Sequence, residues 1–323
     1  MRTLKRILWS LVPVVIALAA GLAYLNRNWI MDWWKGLSYE PSSGMVQIRD
    51  ALQLTGEGEF LFKAVHPSLE ERDGFNAICR DGDTEIAVLG CYTEGNVYVY
   101  NIESTELDGI REVTTAHELL HAVWERMSEG DKTALNDELN EVLTHNRDFL
   151  DEELNNYDTA ERQEELFVRA GTEVADLPAE LERFYERIFK DQDVIAGFYN
   201  KYISVFRSIE AEMAEIEVKL QELDDRISGT TAEYEERVAR LDANITLFND
   251  CAEMAGCFVS EGDFYSKRAV LVAEREALDA MYDSINAMVD EYNGLIEKYN
   301  SDVTHTEQLN RIINSAAKPE VVE

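Results

Sequence analysis

Basic residues are scarce in this chain. Its 323 residues include 30 Lys and Arg against 64 Asp and Glu, a formal net charge of −34. Three of those bases, Arg2, Lys5 and Arg6, lie before Asn26 and no acid does, so the rest of the chain is more acidic still. Such a surface repels phosphates, which excludes nucleic acid as a partner. Glycine and proline are also few, at 17 and 5. With 46% apolar residues, this excludes a disordered or collagen-like chain. No Asp-rich loop has EF-hand spacing, so the acidity does not point to a calcium sensor. It fits a soluble extracellular surface or a high-salt environment.

What is present begins at the N-terminus. Ile7 to Leu25 holds no charged residue. A helix of that length spans about 28 Å, close to the hydrocarbon thickness of a bilayer. Tyr24, Trp29, Trp33 and Trp34 follow as an aromatic belt. The leading positive charge predicts a cytoplasmic N-terminus, with the main domain extracytoplasmic at the cell membrane. The rival reading is a cleaved signal peptide at Ala17-Leu18-Ala19. The apolar run continues past that site, which favours an uncleaved single-pass anchor over residues 1–28. Both readings export the rest of the chain. The four cysteines agree, and they are expected to pair locally as Cys79–Cys91 and Cys251–Cys257 in an oxidising compartment.

Along the chain, Pro41 to Gly44 reads as a linker, Met45 to Leu54 as a short helix and Glu59 to Val65 as a strand. Glu85 to Leu89 and Asn96 to Ile102 carry β-branched and aromatic residues between turn residues, which predicts a small antiparallel sheet. From Asp108 onward the spacing is helical. Phe206, Ile209, Met213, Ile216, Leu220, Leu223 and Ile227 alternate by three and four. Leu271, Leu278, Ile285, Tyr292 and Tyr299 recur every seven residues. Together they predict a long antiparallel coiled-coil hairpin, with the second disulfide at its tip. The fold class is thus α+β and mostly α.

Residues 117–121 read His-Glu-Leu-Leu-His. On a helix, histidines at i and i+4 share one face and can bind one metal ion, with the Glu118 carboxylate beside it. Zinc accepts such ligands and leaves a position for water, whose proton Glu118 can take during attack on a peptide carbonyl.

This motif, with a strand and then a helix around it, resembles the zincin metallopeptidases. The resemblance covers His117, Glu118 and His121 and spans about residues 85–190. It implies a zinc cofactor held by His117 and His121, Glu118 as general base, and an upstream edge strand that aligns a peptide substrate by β-addition. Asn96 to Ile102 is the candidate for that strand. The extended pattern HExxHxxGxxH is absent, since residues 124 and 127 are Trp124 and Met127. The gluzincin subclass instead takes a Glu from a later helix. Glu165 is the first candidate, because Glu165, Arg169 and Glu173 share a face; Glu173 and Glu164 follow, and His145 is a further option. Glu173 or Asp176 is expected to accept from a ligating histidine. Tyr157, Tyr185 and Tyr199 are candidate oxyanion stabilisers.

The expected organisation is an anchor over 1–28, a zincin-like domain over 29–200, the hairpin over 201–305 and a tail over 306–323. The expected function is a membrane-anchored zinc metalloprotease that acts on a protein or peptide outside the cytoplasm. The hairpin would offer a surface to a protein partner. The alternative is a non-catalytic coiled-coil envelope adaptor with a structural or vestigial metal site. A third and weaker reading is a metal-dependent hydrolase of cell-wall amides.

Overall fold

The computed structural model of the protein describes residues 21, 27–79, 88–155, 157 and 159–316. The expected anchor falls almost wholly outside those residues, as do 85–87 and 317–323. Among the described residues no helix is long and apolar enough to cross a membrane. The chain forms two compact units, one of residues 1–205 with 309–323 and one of residues 206–308. The architecture is mostly α with one small sheet.

The first unit opens with three helices, α1 (Arg27–Leu37), α2 (Ser43–Ala51) and α3 (Gly56–Ala64). Ser42, inside the expected linker, caps α2 by accepting from the Met45 amide at 3.2 Å. Thr55 caps α3 through the Gly58 amide at 3.1 Å. That cap corrects the expected strand at Glu59–Val65. Glu57 and Glu59 in the first turn and Lys63 in the last suit the helix dipole, and Leu61, Phe62 and Ala64 form its buried face. A short apolar and aromatic run reads as strand by composition alone, but its cap makes it a helix.

The sheet holds β1 (Ser68–Glu70), β2 (Gly90–Thr93) and β3 (Asn96–Tyr100), in the order β1-β3-β2. β2 and β3 pair antiparallel as expected of the small sheet, but the first of these strands is Gly90–Thr93 and not Glu85–Leu89, whose residues 88 and 89 are outside any strand while 85–87 lie outside the described residues. β1 runs parallel to β3, so the sheet is mixed. Three residues are too few to show a period in the sequence. The connection from β1 passes through α4 (Arg72–Cys79) before returning at β2. The Cys79–Cys91 disulfide ties the end of α4 to β2.

Helix α5 (Ile110–Arg126) lies under this sheet and is buried on most of its surface, including Ala116, Leu119, Leu120, Ala122 and Trp124. After α6 (Glu129–Ala134), α7 (Asn136–His145) and α8 (Arg147–Leu154), helix α9 (Thr159–Glu173) packs against α5. Gly171 makes that approach close: a Cβ there would lie 2.6 Å from Leu120 Cδ1 and from Tyr185 Cε1. Helix α10 (Ala179–Tyr185) closes the core with Tyr185, whose hydroxyl donates to the Phe167 carbonyl at 2.6 Å.

Two long helices follow, α11 (Gln192–Glu253) and α12 (Glu261–Ile313). Their middles form the second unit, a pair packed in opposite directions. Arg237 chelates Glu274 at 2.9 and 3.1 Å, while nearer the ends Tyr299 donates to Glu217 at 2.9 Å. Ile209, Ile216, Leu223, Leu241, Leu278 and Met288 are its buried seam. Ile245, expected in the seam, is exposed. The Cys251–Cys257 disulfide sits at the turn beside a cluster of Phe248, Phe258 and Phe264. Helix α12 runs on through the start of the expected tail. Leu309 and Ser315 belong to the first unit, where Asn76 donates to the Ser315 carbonyl at 2.7 Å.

The Cys79–Cys91 bridge closes a loop with a sequence separation of 12. By loop-closure entropy it stabilises the fold by about 3 kcal/mol. A Cys79→Ser/Cys91→Ser chain is expected to unfold in urea with its stability lowered by about that amount and an unchanged slope for the hairpin transition.

Candidate metal centre

The helical repeat of α5 sets His117 and His121 one turn apart on a single face, with ring centroids 5.0 Å apart. Their Nε2 atoms are 3.3 Å apart. From α9, Glu165 brings Oε1 to 3.7 Å from His117 Nε2 and Oε2 to 3.6 Å from His121 Nε2. Two atoms bound at 2.0–2.2 Å to a tetrahedral zinc ion lie roughly 3.3–3.6 Å apart. The three side chains therefore fit a single small divalent cation, and they form a group able to hold a metal ion. Both histidine side chains are 19% exposed and Glu165 is 3% exposed, so the group is closed on the Glu165 side and open past the imidazoles.

Glu165 is held in place by Arg169, one turn along α9, whose Nε donates to Glu165 Oε1 at 2.7 Å. Arg169 in turn donates to both oxygens of Glu173, at 3.1 and 3.3 Å. The shared face of Glu165, Arg169 and Glu173 is thus a chain of charges that aims the first carboxylate. Glu173 steers the arginine and lies away from the histidine nitrogens. Glu164 lies 2.8 Å from His121 Nδ1. Binding a cation through Nε2 puts the ring proton on Nδ1, where Glu164 accepts it. The expected acceptors Glu173 and Asp176 give way to Glu164, the residue beside the ligand, because α9 crosses α5 with residues 164 and 165 straddling His121.

Glu118 points to the opposite side of the group, under the sheet. It is buried beneath β2, where a Cβ on Gly90 would lie 2.7 Å from Glu118 Cγ. Burial pushes its carboxyl up to about 7, with Glu165 adding to the rise. His121 and a hydrogen bond from the Tyr92 amide pull the other way. Burial, His121 and Arg169 hold His117 well below the ordinary histidine value. Burial also pulls on His121, but the bond to Glu164 and the nearby carboxylates outweigh it and raise the ring.

The strand over this site is β2. β3, the expected edge strand, is paired on both sides and is central. The Tyr100 amide donates to the Leu89 carbonyl at 2.8 Å, so residues 89, 91 and 93 face β3 in the antiparallel register. Gly90 and Tyr92 therefore turn their amides and carbonyls to the free edge, and the Tyr92 amide reaches Glu118. The residues 88–93 carry too little apolar alternation to read as an edge strand in the sequence.

The candidate tyrosines do not join the centre. Tyr185 is fully buried and spends its hydroxyl on Phe167. Tyr199 stacks between Phe149 and Tyr202, and Tyr157 lies past the end of α8. His145 is on exposed α7 and bonds its own helix through the Glu141 carbonyl at 2.9 Å. Comparison of the chain with protein-family models, curated proteins and solved structures finds no match.

The geometry predicts one divalent ion per chain, measured by metal analysis after dialysis against zinc, and none in His117→Ala. Arg169→Met and Glu164→Gln are expected to keep the site but weaken zinc affinity about 10–100-fold in competition with a chelator, because each removes a partner that orients a ligand. Unchanged affinity in both would show that the three ligands need no such support.

Proposed function

We propose that this chain is a zinc-dependent metallopeptidase of the gluzincin kind, anchored in the membrane by its N-terminal segment and working outside the cytoplasm. The single observation that carries the reading is the convergence of His117, His121 and Glu165 with an intact Glu118 beside them. The chemistry of this donor set, two imidazoles and a carboxylate with one open side, is that of a catalytic zinc site. Both disulfides support an oxidising compartment. The apolar Ile7–Leu25 run supports the anchor.

When bound, zinc supplies the Lewis acidity that makes water a nucleophile at neutral pH. The chain's own residues do the rest. Glu118, with its carboxyl near 7, takes up a proton on a carboxylate oxygen and returns it to the leaving amine. The Tyr92 amide fixes the direction of that carboxylate. The edge-facing backbone of Gly90, with the Tyr92 carbonyl, offers a strand edge on which an extended polypeptide pairs, placing its carbonyl over the open side of the histidines. Arg169 and Glu164 keep two ligands from swinging as charge develops.

The test is Glu118→Gln in the full-length chain. It is expected to bind zinc as the native chain does and to hydrolyse an unstructured polypeptide at least about 100-fold more slowly, the usual contribution of a general base. A native chain that carries zinc yet cleaves nothing, with the variant identical, would leave the coiled-coil adaptor as the better account.

A further inference from the structure

Helix α1 is built inside out. The positions it turns toward the protein are Asp32, Lys35 and Gly36, whereas Ile30, Trp33, Trp34 and Leu37 face outward and are exposed. Trp34 is 68% exposed and Leu37 64%. A helix on the surface of a soluble domain does the opposite. Four large apolar side chains in about two turns of helix, with no charge among them, form a face that water does not favour.

The inward face is fastened to the metal-binding body. Asp32 receives a two-pronged ion pair from Arg126, at 2.9 Å for both bonds. Arg126 is the last residue of α5, and it also donates to the Tyr92 hydroxyl at 2.9 Å. Lys35 donates to the Gly95 carbonyl at 2.7 Å and to Asn96 Oδ1 at 3.1 Å, in the turn between β2 and β3. Trp29 stacks on Phe60 of α3. Swinging α1 away would strip a partner from a half-buried arginine and a buried aspartate, so the helix moves with the domain.

We infer that the outward face of α1 docks in the outer interface of the bilayer and holds the metal centre at a fixed height and orientation above it. This deepens the anchored reading above and rests on it. The reasoning is geometric. Leu25, the last residue of the uncharged run, is two residues from Arg27, where α1 begins. An extended chain reaches at most about 7 Å over two residues. A span over Ile7–Leu25 therefore delivers α1 to the headgroup layer, where tryptophan is most stable. The occupant is lipid, because the same chain carries its own membrane segment to that spot. Apolar and aromatic insertion also suits a body of net charge −34, which anionic headgroups would repel. From Arg126 to His121 is five residues, about 7.5 Å of helix rise, so the depth of α1 sets the height of the site directly.

The experiment compares the full-length chain with Trp33→Phe/Trp34→Phe, both reconstituted in phosphatidylcholine vesicles. Both substituted side chains are exposed, so the fold is retained, and equal zinc content verifies it. The emission lost between the two chains belongs to Trp33 and Trp34. Phosphatidylcholine brominated high on its acyl chains is expected to quench that difference emission at least twofold, and iodide in the buffer is expected to leave it unchanged. Quenching by iodide instead would put the face in water and overturn the inference. Shielding from both quenchers would mean that protein, such as a second copy, covers the face, and would overturn it too. Alkaline carbonate extraction separates the two levels. A chain retained in the vesicles with iodide-quenched tryptophans keeps its anchor and loses the docking. A chain released by carbonate loses the anchor, and the docking with it.

Discussion

The metal centre depends on one expensive fact, the burial of the Glu165 carboxylate. An ionised carboxylate removed from water costs several kcal/mol unless charge and hydrogen bonds surround it. Glu165 has Arg169 bonded to Oε1, with His117 also nearest that oxygen, and His121 nearest Oε2. Glu118 and Glu173 are buried nearby as well. Arg169 and the His121 ring, which Glu164 and the nearby carboxylates raise, face these acids. His117, Glu165 and His121 lie close enough together to hold a metal ion as well. Glu118 is raised chiefly by its own burial, with Glu165 adding to the rise. Perturbed groups of this kind cluster at functional sites.

The fold is arranged around this need. Helix α5 is sheathed in apolar contacts so that its polar face can remain dry, and Gly171 lets α9 approach until Glu165 reaches the histidines. On the other side, Gly90 lets β2 lie against Glu118, and the disulfide at Cys91 fixes that strand next to it. Arg126 then joins three elements at once: α1 through Asp32, α5 through the Ala122 carbonyl, and β2 through Tyr92. Tyr92 contributes its hydroxyl to this junction and its amide to Glu118. Asp32 of α1 is thereby linked to Glu118 through Arg126 and Tyr92.

Much of this was legible in the sequence, and the parts that were not have physical reasons. The i, i+4 histidines need no tertiary information, since the helical repeat alone places them together. Glu165 could be ranked first because a carboxylate with Arg one turn on and Glu two turns on implies a held side chain, whereas Glu164 differs only by facing the other flank of His121. The mixed sheet is hidden because β1 has three residues and each pairs with a residue of β3 as distant in sequence as Ser68 is from Tyr98. The Glu59–Val65 segment misled because aromatic and apolar residues in a short run fit either element, and the deciding signal, Thr55, lies outside the run. The tyrosines were chosen by chemistry without location, and Tyr185 shows the usual outcome: a buried ring whose hydroxyl finds a backbone carbonyl. The coiled coil was the easiest element, because a seven-residue period over dozens of residues has few other interpretations.

Helix α1 joins two readings. Its tryptophans are as conspicuous in the sequence as any residue, and they read as a belt that follows the apolar segment. In the structure the same helix is fastened to the metal-binding body, by way of Asp32, Lys35 and the stack of Trp29 on Phe60. The two statements agree if, as we propose, the outward face of α1 meets the membrane while its inward face holds the body. A flexible linker after a membrane span would leave the site free to sample any height, and would need no inward-facing aspartate matched to an arginine at the end of the metal-binding helix. Charge placement follows the same logic. The acids that give the chain its solubility leave the outward face of α1 bare, and the two charges on that helix nearest the protein are consumed in bonds to it. If the proposed anchor holds this acidic domain close to lipid, the domain needs a face free of acids, and the outward face of α1 is one.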